Sequence, residues 1–262
     1  MISMLPHSDM LVSYAIVFML ILVRVGALFL TAPMFNSQAL TTGLRSAIVT
    51  VVSLAVFFSL PNGLAAPELE ITGIIIAILG EIAIGTAAGL AAQLVFAAVD
   101  GAGRLMSIPM GLAFAQAIDP ISGSGSAVVS RFFSVIVGLV FFCLDAHHVV
   151  LRLIAKSFHV LPPGKVIPQP LVGKSLAHHA GRIFVGSVQL AAPVLLVILG
   201  VMVAMGLLAK IAPKVNLFML SFAVSIGLGI IALRGSLPNV VEWIRAEVMR
   251  MEPIAVQVIS LF

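Results

Sequence analysis

Charge is what this sequence has least of. Lys, Arg, Asp and Glu make up 9% of its 262 residues, against roughly 25% in a soluble domain, which excludes an ordinary soluble fold. The 14 Lys and Arg against 10 Asp and Glu leave a small basic excess. That excess is scattered rather than gathered into a stripe, so no nucleic-acid partner is expected. Cys143 is the only cysteine, which excludes an intramolecular disulfide and a thiolate metal cluster. It reads as a small buried apolar residue. Residues 1–10 carry Asp9 and no Lys or Arg, and the apolar run after them is too long for a signal core, so no cleavable leader is expected. Catalytic signatures are missing too. The run Gly123-Ser124-Gly125-Ser126 lacks the Gly-Lys-Ser/Thr of a phosphate loop, and there is no His-Glu-x-x-His. No nucleophile elbow and no paired intramembrane aspartates occur. The expectation is a non-enzyme with no cofactor.

What is present is apolar length. The chain is 61% hydrophobic, with a mean hydropathy of +1.22, and reads as all-α: helical hairpins of a polytopic membrane-type protein. Apolar segments run over 10–35 (interrupted by Arg24), 44–60, 71–99 (holding Glu81 and Gln93) and 132–154. Gly85 and Gly89 form a small-xxx-small pair that lets another helix backbone approach closely. The proline-rich polar stretch 156–180 reads as a surface connection and the best internal boundary. Segments 181–209 and 215–233 then form a hairpin-like pair. In 239–262, Val241, Ile244, Val248, Met251, Ala255 and Val258 recur at three- and four-residue steps. This predicts a separate amphipathic helix for a membrane surface or, since its polar side is mixed in charge, a partner protein.

The oddest stretch begins at Met106 and reads MSIPMGLAFAQAIDP. It is apolar, yet Pro109, Gly111 and Pro120 interrupt it, and a span needs about 20 apolar residues. Broken backbone at membrane depth is tolerated only inside protein or beside a water-filled cavity. The whole of 100–131 therefore reads as a broken segment lodged in a pore or cavity. Its methionines fill core space or form a pliable seal; both readings stand.

Arg24 and Glu81 lie within apolar segments, where a charge must be paired or hydrated. They read as an ion or proton path, or as a structural pair across helices or to another subunit. His147 and His148 are adjacent, so on a helix they diverge by about 100°, unlike the i, i+4 pair of a zinc helix. Asp145 stands near them, but no third ligand is evident and no metal is assigned. His178-His179 reads as an exposed helix start. Loop charges normally place Lys and Arg on the cytoplasmic side. With six alternating spans, Arg45, Arg104, Arg131, Lys210 and Lys214 share one side, and Lys156, Lys165, Lys174, Arg245 and Arg250 share the other. The rule therefore orients neither side, which points to segments that do not cross or to a chain ordered by an assembly.

Several pieces carry a resemblance. They are RVGALFLTAP from Arg24, MGLAFAQAIDP from Met110, Ala146-His147-His148, SFHVLP from Ser157, GLLAKIAP from Gly206, and Asn216-Leu217-Phe218. By these the chain resembles the flagellar biosynthetic protein FliR family, export-gate subunits of type III secretion. The chain departs from the family pattern at Asp145-Ala146, usually Asn-Gly, and at Ser221-Phe222-Ala223, usually Gly-Phe-Pro. The resemblance implies a helical export-gate complex with P-, Q- and B-type subunits, standing largely out of the plane of the bacterial inner membrane in the flagellar basal body. Residues 1–180 would resemble a P subunit, and 181–262, with the C-terminal amphipathic helix, a Q subunit. Stretch 106–126 would be a plug that occludes the pore to unfolded flagellar substrates. Met106, Ile108, Met110, Gly111, Leu112, Phe114, Ile118, Asp119 and Pro120 would form the seal, with mobility from Gly111, Gly123 and Gly125. Membrane lipid is the remaining expected contact. Two other readings are a virulence-type secretion homologue and a self-sufficient transporter working through Arg24, Glu81 and Asp119. A third, an intramembrane hydrolase, would centre on His147 and His148.

Overall fold

A computed structural model describes residues 7–35, 41–60, 71–112, 128–165, 171–212 and 216–259. Regular structure among them is entirely α-helical: α1 (His7–Thr31), α2 (Thr42–Ser59), α3 (Ile71–Ser107), α4 (Val128–Cys143), α5 (Ala146–Val160), α6 (Leu171–Ile211) and α7 (Leu217–Ile259). Among the described residues, five stretches are long and apolar enough to cross a membrane: Leu11–Thr31, Thr42–Ser59, Thr72–Ser107, Ala180–Ile211 and Met219–Gln257. The pair α4 and α5 makes a sixth if it counts as one span.

The chain packs into two compact units that interleave along the sequence. The first comprises Met1–Gln93, Asp145–His178 and Met249–Phe262, the second Leu94–Leu144 and His179–Val248. In the first unit α1 buries a stripe of Val17, Leu20, Ile21, Arg24, Val25 and Leu28, the three- and four-residue spacing of one helix face. Phe57 of α2 meets Tyr14 and Phe18 edge-on, with ring centroids at 6.2 and 5.9 Å. Gly85 and Gly89 of α3 do what their spacing predicts. A Cβ on Gly85 would lie 2.8 Å from the Ala27 Cβ, and one on Gly89 would lie 3.0 Å from the Leu28 carbonyl oxygen, so the α1 backbone occupies their space. Ala91, Leu153 and Ala255 complete this core, with Val256 against it.

In the second unit, hydroxyls tie helices to the last turns of α3. Ser130 donates to the Asp100 carbonyl and Ser187 to the Ala98 carbonyl, each at 3.0 Å. Phe96 and Phe141 meet at a tilt, with ring centroids 5.4 Å apart, and a Cβ on Gly186 would lie 2.6 Å from Trp243 Cζ2. Arg182 holds both carboxylate oxygens of Glu247 at 3.0 Å.

Several boundaries differ from the sequence expectation. The break placed at Asp100 begins at Ile108, because α3 continues through Gly101 and Gly103. A Cβ on Gly103 would lie 2.5 Å from Ser130 Cα, so the glycines admit a neighbouring helix instead of ending this one. The segment 132–154 is two helices, α4 and α5, split where Asp145 adopts a left-handed φ of 52°. Cys143 is exposed rather than buried. The connection 156–180 is mostly helix: α5 reaches Val160 with Ser157 and Phe158 buried, and α6 starts at Leu171. Last, 239–262 is not a separate helix. α7 runs unbroken past Pro238, and Ser225, Gly229, Ser236, Val240, Ile244 and Val248 line one buried row. The amphipathic stripe faces this chain's own interior at Ile244, Val248, Met251 and Ala255, while Val241 is 38% exposed.

Candidate functional site

The root of the proposed plug is built in the second unit. Helix α3 ends in a turn over 108–112. The Leu112 amide donates to the Ser107 carbonyl at 3.1 Å and the Gly111 amide to the Ile108 carbonyl at 3.0 Å. Gly111 sits at φ 80°. Together these make a Schellman cap, in which a left-handed glycine satisfies the orphan carbonyls of a helix end. Pro109 is compatible with this last turn because it supplies no amide to the cap.

Side chains fix that cap against α7. Met106 and Met110 are fully buried. A Cβ on Gly229 would lie 2.7 Å from Met110 Cε, so the methionine fills a notch that only glycine leaves open. A Cβ on Gly111 would lie 2.7 Å from Phe222 Cε1. Gly111, expected from the sequence to give mobility, holds the chain in a tight left-handed turn under an aromatic ring. Ile108 points outward, 68% exposed, and Leu112 is half-buried. Phe114, Ile118, Asp119, Pro120, Gly123 and Gly125 lie outside the described residues.

A second polar centre lies in the first unit. Arg24 and Glu81 form a buried ion pair, the pairing across helices that one of their two readings expected. The Arg24 Nη1 also donates to the Ser157 carbonyl at 3.0 Å and the Leu161 carbonyl at 2.9 Å. Its guanidinium lies 4.2 Å from the centroid of the Phe158 ring. A cation at the carbonyl end of α5 offsets the negative end of the helix dipole. Glu81 accepts a second hydrogen bond, at 2.9 Å, from the Gly164 amide. Gly164 has a φ of 79°, and the Lys165 amide donates to the Pro162 carbonyl at 3.3 Å. Pro162-Pro163-Gly164-Lys165 is thus a turn of the type that needs glycine at its third position. Buried on both sides and bonded to three segments, the pair acts as a clasp, in which the Arg24 Nη2 makes no hydrogen bond among the described residues.

Sequence reasoning missed Ser157, Leu161, Gly164, Phe222 and Gly229. The Pro-Pro-Gly triplet was the one signal that could have placed a polar turn beside the buried carboxylate. At the α4–α5 break, His147 and His148 do not diverge; their ring centroids are 4.1 Å apart, and the Asp145 carboxylate faces both.

Comparison with known proteins decides the family. The model for bacterial export proteins, family 1, matches residues 15–251. This chain belongs to that family. Among its relatives, the flagellar biosynthetic protein FliR of Pectobacterium carotovorum subsp. carotovorum is 34% identical over 82% of this chain and 82% of its own length. FliR of Escherichia coli K12 is 29% identical over 83% and 82%. The surface presentation of antigens protein SpaR of Salmonella typhimurium is 26% identical over 80% and 78%. The resemblance carried by the sequence motifs is thereby borne out across most of this FliR-family chain, and with it membership in a bacterial export apparatus.

Proposed function

We propose that this chain, an inner-membrane component of a flagellar-type (type III) export apparatus, forms part of the wall of the protein-conducting channel and supplies its plug. The observation that carries the reading is the anchored cap at Gly111. An apolar stretch too short and too broken to span is launched from a helix end locked by Met110 and Phe222, so its root cannot drift while the residues beyond it close a pore. Its partners are P-, Q- and B-type subunits, unfolded flagellar substrates and lipid, in the basal body. In this reading 1–180 plays the P-like part and 181–262 the Q-like part. The role is non-enzymatic, and driving energy comes from elsewhere in the apparatus. That both relatives at 29–34% identity named above are flagellar FliR proteins supports the flagellar branch over the virulence-type one. The pairing of Arg24 with Glu81 supports the channel reading over a transporter that would use both as a charged site.

Deleting 113–118 while keeping Met110 to Leu112 intact tests the plug. The expected result is an ion leak across the membrane, with the chain still recovered in complex with P- and Q-type subunits. Silent conductance with lost assembly would make the stretch core packing instead.

A further inference from the structure

One cluster plays no part in the export reading. Asp145, His147 and His148 offer one donor atom each, and all three atoms lie within 4.8 Å of one another. Asp145 Oδ1 is 3.5 Å from His148 Nδ1 and 3.9 Å from His147 Nε2. Two ligands bound at about 2.1 Å with angles of 90–110° stand roughly 3.0–3.4 Å apart. The donors therefore need only small rotations to converge. The chain leaves room for them, since the side chains of Asp145 and His148 are 74% and 61% exposed.

The backbone explains why three consecutive-turn residues can converge at all. Asp145 is the one non-glycine residue at positive φ among the described residues. An aspartate in this position ordinarily turns its carboxylate onto the first amides of the helix. Here it makes no such cap, and the left-handed turn sets the carboxylate beside the two imidazoles. This is the third donor that sequence spacing alone did not provide.

We infer that Asp145, His147 and His148 bind a divalent first-row transition ion of the zinc class. Two imidazoles and one carboxylate suit zinc, nickel or copper, whereas calcium and magnesium require oxygen ligands. Three protein donors on an exposed turn leave at least one coordination position open to solvent or to a donor from another chain.

The test uses the purified full-length chain in detergent, stripped with chelator and titrated with ZnCl2 by calorimetry. One saturable ion per chain is expected. Asp145→Asn keeps a residue that tolerates the left-handed turn but removes the anionic donor, and should weaken binding at least about tenfold, as should His148→Ala. His178→Ala combined with His179→Ala should leave it unchanged, and circular dichroism should show every variant fully helical. With Cu2+ as the probe, electron paramagnetic resonance should show two nitrogen donors. No saturable uptake would reduce the cluster to a surface ion pair. Equal uptake by the Asp145→Asn and His148→Ala variants, or loss only in the His178/His179 variant, would place the ion elsewhere and overturn the assignment.

Discussion

Arg24 and Glu81 show how a charge in an apolar helix is kept. Each is almost wholly buried, and a buried pair broken from one side costs about 3–5 kcal/mol because the survivor is left uncompensated. Glu81→Gln should therefore lower the unfolding free energy of the detergent-solubilised chain by that amount. Arg24→Lys should also destabilise, since a point ammonium cannot reproduce the planar fork that reaches Glu81 and the Ser157 and Leu161 carbonyls together. A change below about 0.5 kcal/mol for Glu81→Gln would mean the pair is solvated and the clasp unimportant. Gly111 makes a second case. Gly111→Ala should cost about 1–2 kcal/mol for the left-handed backbone alone, and more for the collision with Phe222. Adding Phe222→Ala should recover the collision part only, so the double variant should be more stable than additivity allows. The need for a partner was legible, because an isolated charge in a run such as 10–35 demands one, but which residue pairs with Arg24 was not. Its acceptors Ser157 O and Leu161 O were not, because a backbone carbonyl leaves no mark in residue type.

At the scale of elements, helix existence was legible and helix ends were not. Hydropathy marks α1, α2, α3, α6 and α7 plainly, since each carries a long apolar window. Gly101 and Pro238 read as breaks because a sequence shows their intrinsic cost, about 1 kcal/mol for glycine and about 3 for proline inside a helix, without the packing that offsets it. The row Ser236, Val240, Ile244 and Val248 buries one side of α7 across Pro238, so continuity outweighs the local penalty there. The cap after α3 depends on such a row as well, through Gly229 and Met110. Gly229→Val should evict Met110 from its notch and destabilise the second unit by about 1–3 kcal/mol. Ile108→Ser, one turn away but outward-facing, should stay within about 0.5 kcal/mol. Equal losses from the two substitutions, followed by chemical denaturation, would contradict the anchored root.

For the whole molecule, the silent charge rule and the helix lengths point the same way. α3, α6 and α7 contain 37, 41 and 43 residues, so at 1.5 Å per residue they run about 55–65 Å. A hydrocarbon core is about 30 Å thick. Tilt does not absorb a twofold excess, so parts of these helices lie beyond the lipid, where loop charge no longer reports orientation. Yet the apolar windows of α6 and α7 are only 17% buried within the chain. Where such apolar surface lies outside the lipid it must be covered by protein, which is the condition an export-gate subunit would meet among P- and Q-type neighbours. Leu196, 68% exposed on α6, separates the alternatives. Leu196→Glu should leave the chain resistant to carbonate extraction from membranes but abolish its co-purification with those subunits. If the variant instead fails to insert while the few inserted copies still assemble, that face of α6 meets lipid, and the chain stands deeper in the bilayer than its helix lengths imply.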